Sequence, residues 1–164
     1  MHKISLPDLI RALNTRYLNQ FKTRLVGGFA EPFYQAARGE KWAQIQFRED
    51  FYRSALHELA HWCVAGKKRR LCDDYGYWYA EDGRNQRQQD EFFKVEIKPQ
   101  AIEWAFATTC AVEFAVSVDN LHTDVSGVET FKQNVAKQLR EYQQHGFPKR
   151  CQAILALLHH LRQS

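Results

Sequence analysis

The sequence predicts an α+β fold that is predominantly α-helical and carries a small β-sheet. Short segments with β-like character are confined to the first third of the chain. Apolar residues recur at helical spacing near the N-terminus and through most of the second half. The 164 residues include 45% hydrophobic residues, and no repeat or linker divides them. We therefore expect residues 1–164 to form a single domain with its own hydrophobic core.

The first predicted element is a helix over residues 5–20. Ser5 can cap its N-terminus, and Pro7 suits the first turn, where a backbone N–H has no intrahelical partner. One face of the segment is apolar and consists of Leu6, Leu9, Ile10, Leu13 and Tyr17.

Two strands are predicted after this helix. Residues 23–26 and 42–47 show the short or alternating apolar pattern that is typical of strands. Turn-forming residues at 27–28 and 31–32 lie between them. We expect these strands to form the small sheet.

The second predicted helix, about residues 50–65, contains two histidines and a glutamate. His57 and His61 are four residues apart, so they lie on one helix face, where two imidazoles can bind one divalent metal ion. Glu58 lies one step round the helix and can act beside the metal as an outer-shell base or hydrogen-bond acceptor. The pattern predicts a metal site with Glu58 as its catalytic carboxylate.

An ordinary core helix is the competing interpretation, because the motif specifies only three residues. An apolar stripe runs along the same segment and consists of Phe51, Ala55, Leu59 and Trp62. The motif alone therefore does not distinguish a metal site from an ordinary half-buried histidine, and other parts of the sequence are needed.

A basic run at residues 67–70 follows this helix, and a segment rich in tyrosine and tryptophan comes next. Cations suit a helix C-terminus, and four of them beside a metal site can also receive an acidic substrate. The aromatic segment forms either a strand or the wall of a pocket. We predict that the substrate is contacted by Lys67, Arg69, Arg70, Tyr77 and Trp78.

A third helix is predicted to begin at Pro99, because proline is favoured in the first turn. Two histidines leave a metal short of protein ligands, and catalytic zinc and non-haem iron sites commonly add a carboxylate. Glu91, Glu96 and Glu103 are the candidates near this helix. Their spacing does not choose among them.

Two further amphipathic helices complete the predicted fold. They cover about residues 127–144 and 148–162, and the Gly146-Phe147-Pro148 segment forms the break between them. Helical segments therefore predominate over strands.

Charge, cysteine content and hydropathy narrow the class of protein. The formal net charge of +4 favours an acidic partner without singling out nucleic acid, and we expect no direct nucleic-acid contact. The four cysteines form no Cys-x-x-Cys pair, and the N-terminal segment lacks the apolar stretch of a signal peptide. No apolar run approaches the ~20 residues needed to span a bilayer. We expect a cytoplasmic protein with reduced thiols and no membrane association.

Four sequence blocks follow one another in a fixed order. They are His57-Glu58-Leu59-Ala60-His61-Trp62-Cys63-Val64-Ala65-Gly66-Lys67, Asp74-Tyr75-Gly76-Tyr77-Trp78-Tyr79, Asp82-Gly83-Arg84 and Val95-Glu96-Ile97-Lys98-Pro99-Gln100-Ala101. This ordered set resembles the bacterial elongation factor P hydroxylase family and is far more specific than the histidine pattern. A looser likeness extends from residue 23 to residue 121 and covers most of the chain.

The resemblance implies a metal-dependent hydroxylase that adds oxygen to a modified lysine of elongation factor P, the factor that relieves ribosome stalling at proline runs. It also implies a helical metal-binding scaffold similar to that of metallopeptidases of the zincin type. His57 and His61 match the metal ligands of the family, and Glu96 matches the glutamate of its Val-Glu-x-Lys-Pro-Gln block. Glu96 is therefore the implied third ligand, and Glu31 is a lesser candidate for the neighbourhood of the metal.

The expected cofactor is Fe(II) or another divalent metal, with molecular oxygen as the cosubstrate. Two imidazoles and one carboxylate on one face of Fe(II) leave positions open for dioxygen and substrate. The main alternative is a zinc-dependent hydrolase in which Glu58 is the general base that activates a metal-bound water. A third possibility is a non-catalytic protein that docks on the translation apparatus, although the intact set His57, Glu58, His61 and Glu96 argues against it.

Overall fold

The computed structural model describes residues 2–77, 85–118 and 125–164, with side chains in the last range from residue 127 onward. Within these ranges the elements are α1 (Leu6–Arg16), β1 (Thr23–Phe29), β2 (Phe33–Gln35), β3 (Ala43–Arg48), α2 (Tyr52–Val64), α3 (Gln86–Cys110), α4 (Val125–His145) and α5 (Lys149–Arg162). The predicted α+β class, mainly helical with a small sheet, is confirmed. Four of the five predicted helices lie within a few residues of α1, α2, α4 and α5.

The sheet has the strand order β1-β3-β2, with β1 parallel and β2 antiparallel to the central strand β3. Alternate residues of β3 are buried, namely Ala43, Ile45 and Phe47. This alternation is the pattern expected of a sheet with one face packed on the core.

The outer edge of β2 is held by the segment that follows α2. The backbone N–H of Tyr34 donates to Asp74 Oδ1 at 2.9 Å, and that of Ala36 donates to Asp73 Oδ1 at 2.9 Å. These two carboxylates occupy the N–H groups of an otherwise open strand edge. They thereby anchor residues 69–77 beside the end of α2.

Helix α2 is buried along most of its length against the sheet and α3. Its buried residues are Ala55, Leu56, Leu59, Ala60, Trp62 and Cys63. At its C-terminal end, the Arg150 guanidinium of α5 donates to the carbonyl oxygens of Cys63 and Ala65. A cation in this position satisfies free carbonyls and complements the negative end of the helix.

Helix α3 differs from its prediction, because it begins at Gln86 and not at Pro99. Asn85 Oδ1 accepts from the Gln88 N–H at 2.8 Å, and Gln88 Oε1 accepts from the Asn85 N–H at 3.0 Å. This capping box starts the helix well before the proline. Pro99 lies inside α3 and has no N–H to donate to the Val95 carbonyl, a loss that the cap and the extensive burial of α3 offset.

Most buried apolar side chains form one core that α1, the sheet, α2, α3 and α5 share. A smaller cluster between α3 and α4 consists of Ala101, Phe131, Val135 and Leu139. Among the described residues, no helix is both long and apolar enough to cross a bilayer.

Candidate metal centre

Two histidines on one face of α2 point their Nε2 atoms at the same region. His57 Nε2 and His61 Nε2 are 3.2 Å apart. Their side chains are only 19% and 18% exposed. The spacing of four residues brings the two imidazoles together, as the sequence predicts.

Glu96 of α3 lies directly opposite these two nitrogens. Its Oε1 is 3.3 Å from His57 Nε2, and its Oε2 is 2.7 Å from His61 Nε2. The residue is 2% exposed. Ligand atoms of His57, His61 and Glu96 all lie within 4.8 Å of one another, so α2 and α3 together assemble two imidazoles and one carboxylate.

The far side of the His57 ring contacts a second carboxylate of α3. Glu103 Oε1 is 2.6 Å from His57 Nδ1, the nitrogen that faces away from Glu96. The spacing of seven residues places Glu96 and Glu103 on the same buried face of the helix. The two glutamates therefore contact different nitrogens of the same imidazole.

Gln100 lies between these glutamates and is fully buried. Its Nε2 donates to Glu96 Oε1 at 3.2 Å and to the Ser117 carbonyl at 2.7 Å. The Ser117 N–H in turn donates to Gln100 Oε1 at 2.9 Å. The side chain amide thus orients Glu96 and joins it to the segment that follows α3.

The pKa values of the three clustered residues are all shifted from their usual values in the metal-free protein. Burial alone would lower the pKa of His57, but the Glu103 and Glu96 carboxylates raise it well above its usual value. The pKa of His61 is also raised, because Glu96 outweighs the effect of burial. Burial would raise the pKa of Glu96, but the two imidazoles hold it well below its usual value. A buried carboxylate beside two imidazoles is an environment that favours a cation.

The residues fit a divalent metal ion. When two imidazole nitrogens bind the same ion at about 2.1 Å, they lie roughly 3.0 to 3.4 Å apart at octahedral or tetrahedral angles. The distance of 3.2 Å between His57 Nε2 and His61 Nε2 falls within this range. Among the described residues, Glu96 Oε2 is buried and accepts no hydrogen bond of regular geometry, although His61 Nε2 lies 2.7 Å away as its charged partner. A buried acceptor without a hydrogen bond is unfavourable unless another partner satisfies it, and a cation held with the two imidazoles would do so.

Glu58 lies beside this cluster on α2 but outside the group of three converging residues. Burial raises the pKa of its carboxyl above the usual value, and the imidazoles of His57 and His61 oppose this shift. The outer-shell role of Glu58 stays a prediction.

A pocket of about 410 Å³ opens onto His61 at the C-terminal end of α2. Basic residues and tyrosines line it together with two residues of α3, Val95 and Pro99. The predicted substrate residues Lys67, Arg69 and Tyr77 are among its lining residues. The Arg69 guanidinium lies 3.8 Å from the Tyr77 ring centre and donates to the Tyr75 carbonyl at 2.9 Å, which fixes this wall of the pocket.

Three other predicted residues lie away from the pocket or from the three-residue group. Arg70 does not line the pocket and turns back towards the end of α2, where its guanidinium donates to the Ala65 carbonyl at 3.4 Å. Glu31 and Glu91 are exposed and lie outside the three-residue group. Trp78 lies outside the described residues.

Sequence reasoning did not predict the hydrogen bond from Gln100 to Glu96 or the contact of Glu103 with His57 Nδ1. The signal was present, because Glu96, Gln100 and Glu103 follow the i, i+4, i+7 spacing of one helix face. The expectation that a helix begins at Pro99 separated Glu96 from the other two and hid this polar stripe.

Two comparisons with known proteins indicate the same family. A protein-family model described as elongation factor P hydroxylase matches residues 12–164. A protein named elongation factor P lysine hydroxylase, from Haemophilus influenzae, is 45% identical over 154 residues, which cover 93% of this chain and 85% of that protein. The resemblance seen in the ordered sequence blocks is thereby confirmed, and the family match includes both α2 and α3.

Proposed function

The chain belongs to the elongation factor P hydroxylase family, and on that premise we propose that it hydroxylates the modified lysine of elongation factor P. The observation that carries this proposal is the convergence of His57, His61 and Glu96 on one point between α2 and α3. We propose that these three residues are the metal ligands.

The proposed metal is Fe(II), with molecular oxygen as the cosubstrate and a two-electron reductant, so that one oxygen atom enters the C–H bond and the other leaves as water. Two imidazoles and one carboxylate form the donor set of non-haem iron oxygenases, which leaves positions open for the reactants. When bound, Fe(II) supplies the oxygen activation that hydroxylation of a C–H bond requires. We propose a scaffold of the zincin type, supported by the two histidines on α2 and the carboxylate on the neighbouring helix α3.

The pocket beside His61 is the proposed substrate site. Its volume of about 410 Å³ accommodates an extended side chain, and Tyr75 and Pro99, both buried, form walls that exclude water. Glu58 is the proposed outer-shell carboxylate, which accepts a hydrogen bond or a proton beside the reacting atoms. Since Gln100 orients Glu96, the carboxylate is held in place when substrate enters.

The rim of the pocket is the proposed docking surface for elongation factor P. Lys67, Lys68 and Arg69 are all exposed there, and they favour the approach of an acidic surface. Tyr77 adds an aromatic contact at the same rim. We propose neither a nucleic-acid partner nor a membrane partner.

Residues 1–164 are proposed to act as a single hydroxylase domain in the cytoplasm. The shared core of α1, the sheet, α2, α3 and α5 supports one domain. The free thiols of Cys63, Cys72, Cys110 and Cys151 support a reducing compartment.

Intact-protein mass spectrometry of lysine-modified elongation factor P tests the proposed function. After aerobic incubation with Fe(II)-loaded protein and ascorbate as the reductant, we expect a gain in mass of one oxygen atom. The zinc-loaded protein and His57→Ala should give no gain, whereas His159→Ala, which changes an exposed histidine of α5, should behave as the unchanged protein. No gain at verified iron occupancy would contradict the proposal and favour the zinc hydrolase.

A further inference from the structure

Glu103 is a buried carboxylate that contacts His57 on the edge of the ring facing away from the proposed metal site. Its side chain is 4% exposed, and its Oε1 is 2.6 Å from His57 Nδ1. We propose that Glu103 is a positioning residue, which holds His57 in the tautomer and ring orientation that direct Nε2 towards the metal. This inference rests on the metal site of the proposed function.

The chemistry of imidazole connects the two nitrogens of His57. A neutral imidazole carries one N–H, and a carboxylate at Nδ1 stabilises the tautomer that has its proton there. Nε2 then keeps its lone pair, and this atom lies 3.2 Å from His61 Nε2 and 3.3 Å from Glu96 Oε1. The carboxylate also increases the basicity of the ring, which strengthens a metal–nitrogen bond.

Glu103 lies in a buried part of α3. The adjacent Ile102 is fully buried, and so is Phe106 on the next turn. A carboxylate at this depth requires a hydrogen-bonded or charged partner. His57 Nδ1 provides that partner, so the position of Glu103 and that of the imidazole depend on each other.

Glu103 is not itself a member of the converging group. That group consists of His57, His61 and Glu96, whereas Glu103 contacts the nitrogen on the opposite edge of the His57 ring. A ligand role for Glu103 would require its carboxylate to leave His57 Nδ1 and reach the region beside Nε2.

Metal affinity measured with zinc by competition against a chelator tests this proposal. Glu103→Gln keeps the shape and an acceptor oxygen but removes the charge, so we expect zinc binding about tenfold weaker. Glu103→Leu removes the acceptor as well, and we expect binding about a hundredfold weaker. Glu91→Gln is the matched control, because it removes an exposed carboxylate from the same helix, and it should bind zinc as tightly as the unchanged protein.

Proton NMR of the zinc-loaded protein distinguishes the positioning of His57 from a general effect on stability, because it reports the chemical shift of the His57 Nδ1–H. The His57 Nδ1–H signal should be shifted strongly downfield by its carboxylate acceptor, should move upfield in Glu103→Gln and should not change in Glu91→Gln. Equal affinity together with an unchanged Nδ1–H signal in Glu103→Gln would overturn the positioning role. This isosteric variant keeps the test valid even if Glu103→Leu does not fold. Failure of the unchanged protein to bind zinc would instead contradict the metal site itself.

Discussion

We expect the free energy of unfolding of the metal-free protein to fall as the pH rises above about 6.5. The folded-state pKa of His57 and that of His61 are both raised above the ordinary value of 6.5, mainly by Glu96 and Glu103, although burial opposes the shift. Each imidazole therefore contributes stability that is fully present below pH 6.5. That stability is lost as the pH rises through the folded-state pKa.

The magnitude follows from the number of protons that only the folded state holds. Each such proton changes the free energy of unfolding by about 1.4 kcal/mol per pH unit. Two imidazoles give up to about 2.7 kcal/mol per pH unit while both remain protonated only in the folded state. Both side chains are less than one fifth exposed, so solvent screens them little.

Other groups near the site do not reverse this sign above pH 6.5. Glu58, whose pKa is raised by burial, also contributes stability that is lost as the pH rises. Glu96 has a lowered pKa, so its contribution is present above its ordinary value of 4.5 and is lost only as the pH falls. The slope above pH 6.5 therefore reports mainly on His57 and His61.

Urea unfolding with a chelator at pH 6.5, 7.5 and 8.5 measures this slope. His57→Gln and His61→Gln should each reduce it, whereas His159→Gln, at an exposed position, should not. In the presence of saturating zinc, the pH dependence should reverse, because protons compete with the metal for the imidazoles. A metal-free protein whose free energy of unfolding is constant or rises over this range would show that His57 and His61 do not have raised pKa values in the folded state.

Three further perturbations test the proposed roles of single residues. Glu58→Gln should keep bound metal and part of the hydroxylation measured by mass spectrometry, because Glu58 is not a proposed ligand; complete loss of hydroxylation with metal retained would count against the proposed hydroxylase mechanism. Lys67→Glu should raise the KM for elongation factor P several-fold and weaken the salt dependence of that KM. Lys22→Glu, at another exposed position, is the control. An unchanged KM would show that Lys67 is not part of the docking surface. Gln100→Leu should lower the free energy of unfolding in urea by about 1–3 kcal/mol, because the backbone of Ser117 loses two hydrogen bonds; a change below the error of the measurement would contradict this.

Local sequence signals were sufficient for most of the helices. The bounds of α4 and α5 follow from apolar periodicity and from the Gly146-Phe147-Pro148 break, both of which act over a few neighbouring residues. Strand β2 was not predicted, since a strand of only three residues carries too little pattern. The predicted start of α3 at Pro99 was wrong, because the capping box at Asn85 and Gln88 begins the helix earlier and the proline lies inside it.

The pairing of His57 and His61 follows from local sequence alone, because a separation of four residues on a helix sets their geometry without help from the rest of the chain. The order of the sequence blocks also indicated the family. The difference between Glu96 and Glu103 depends instead on how the helices pack. The two carboxylates share one buried face of α3, and the way α3 packs against α2 brings Glu96 to both Nε2 atoms and Glu103 to the opposite nitrogen of His57. Contacts between helices that are distant in sequence depend on packing, which local spacing does not specify.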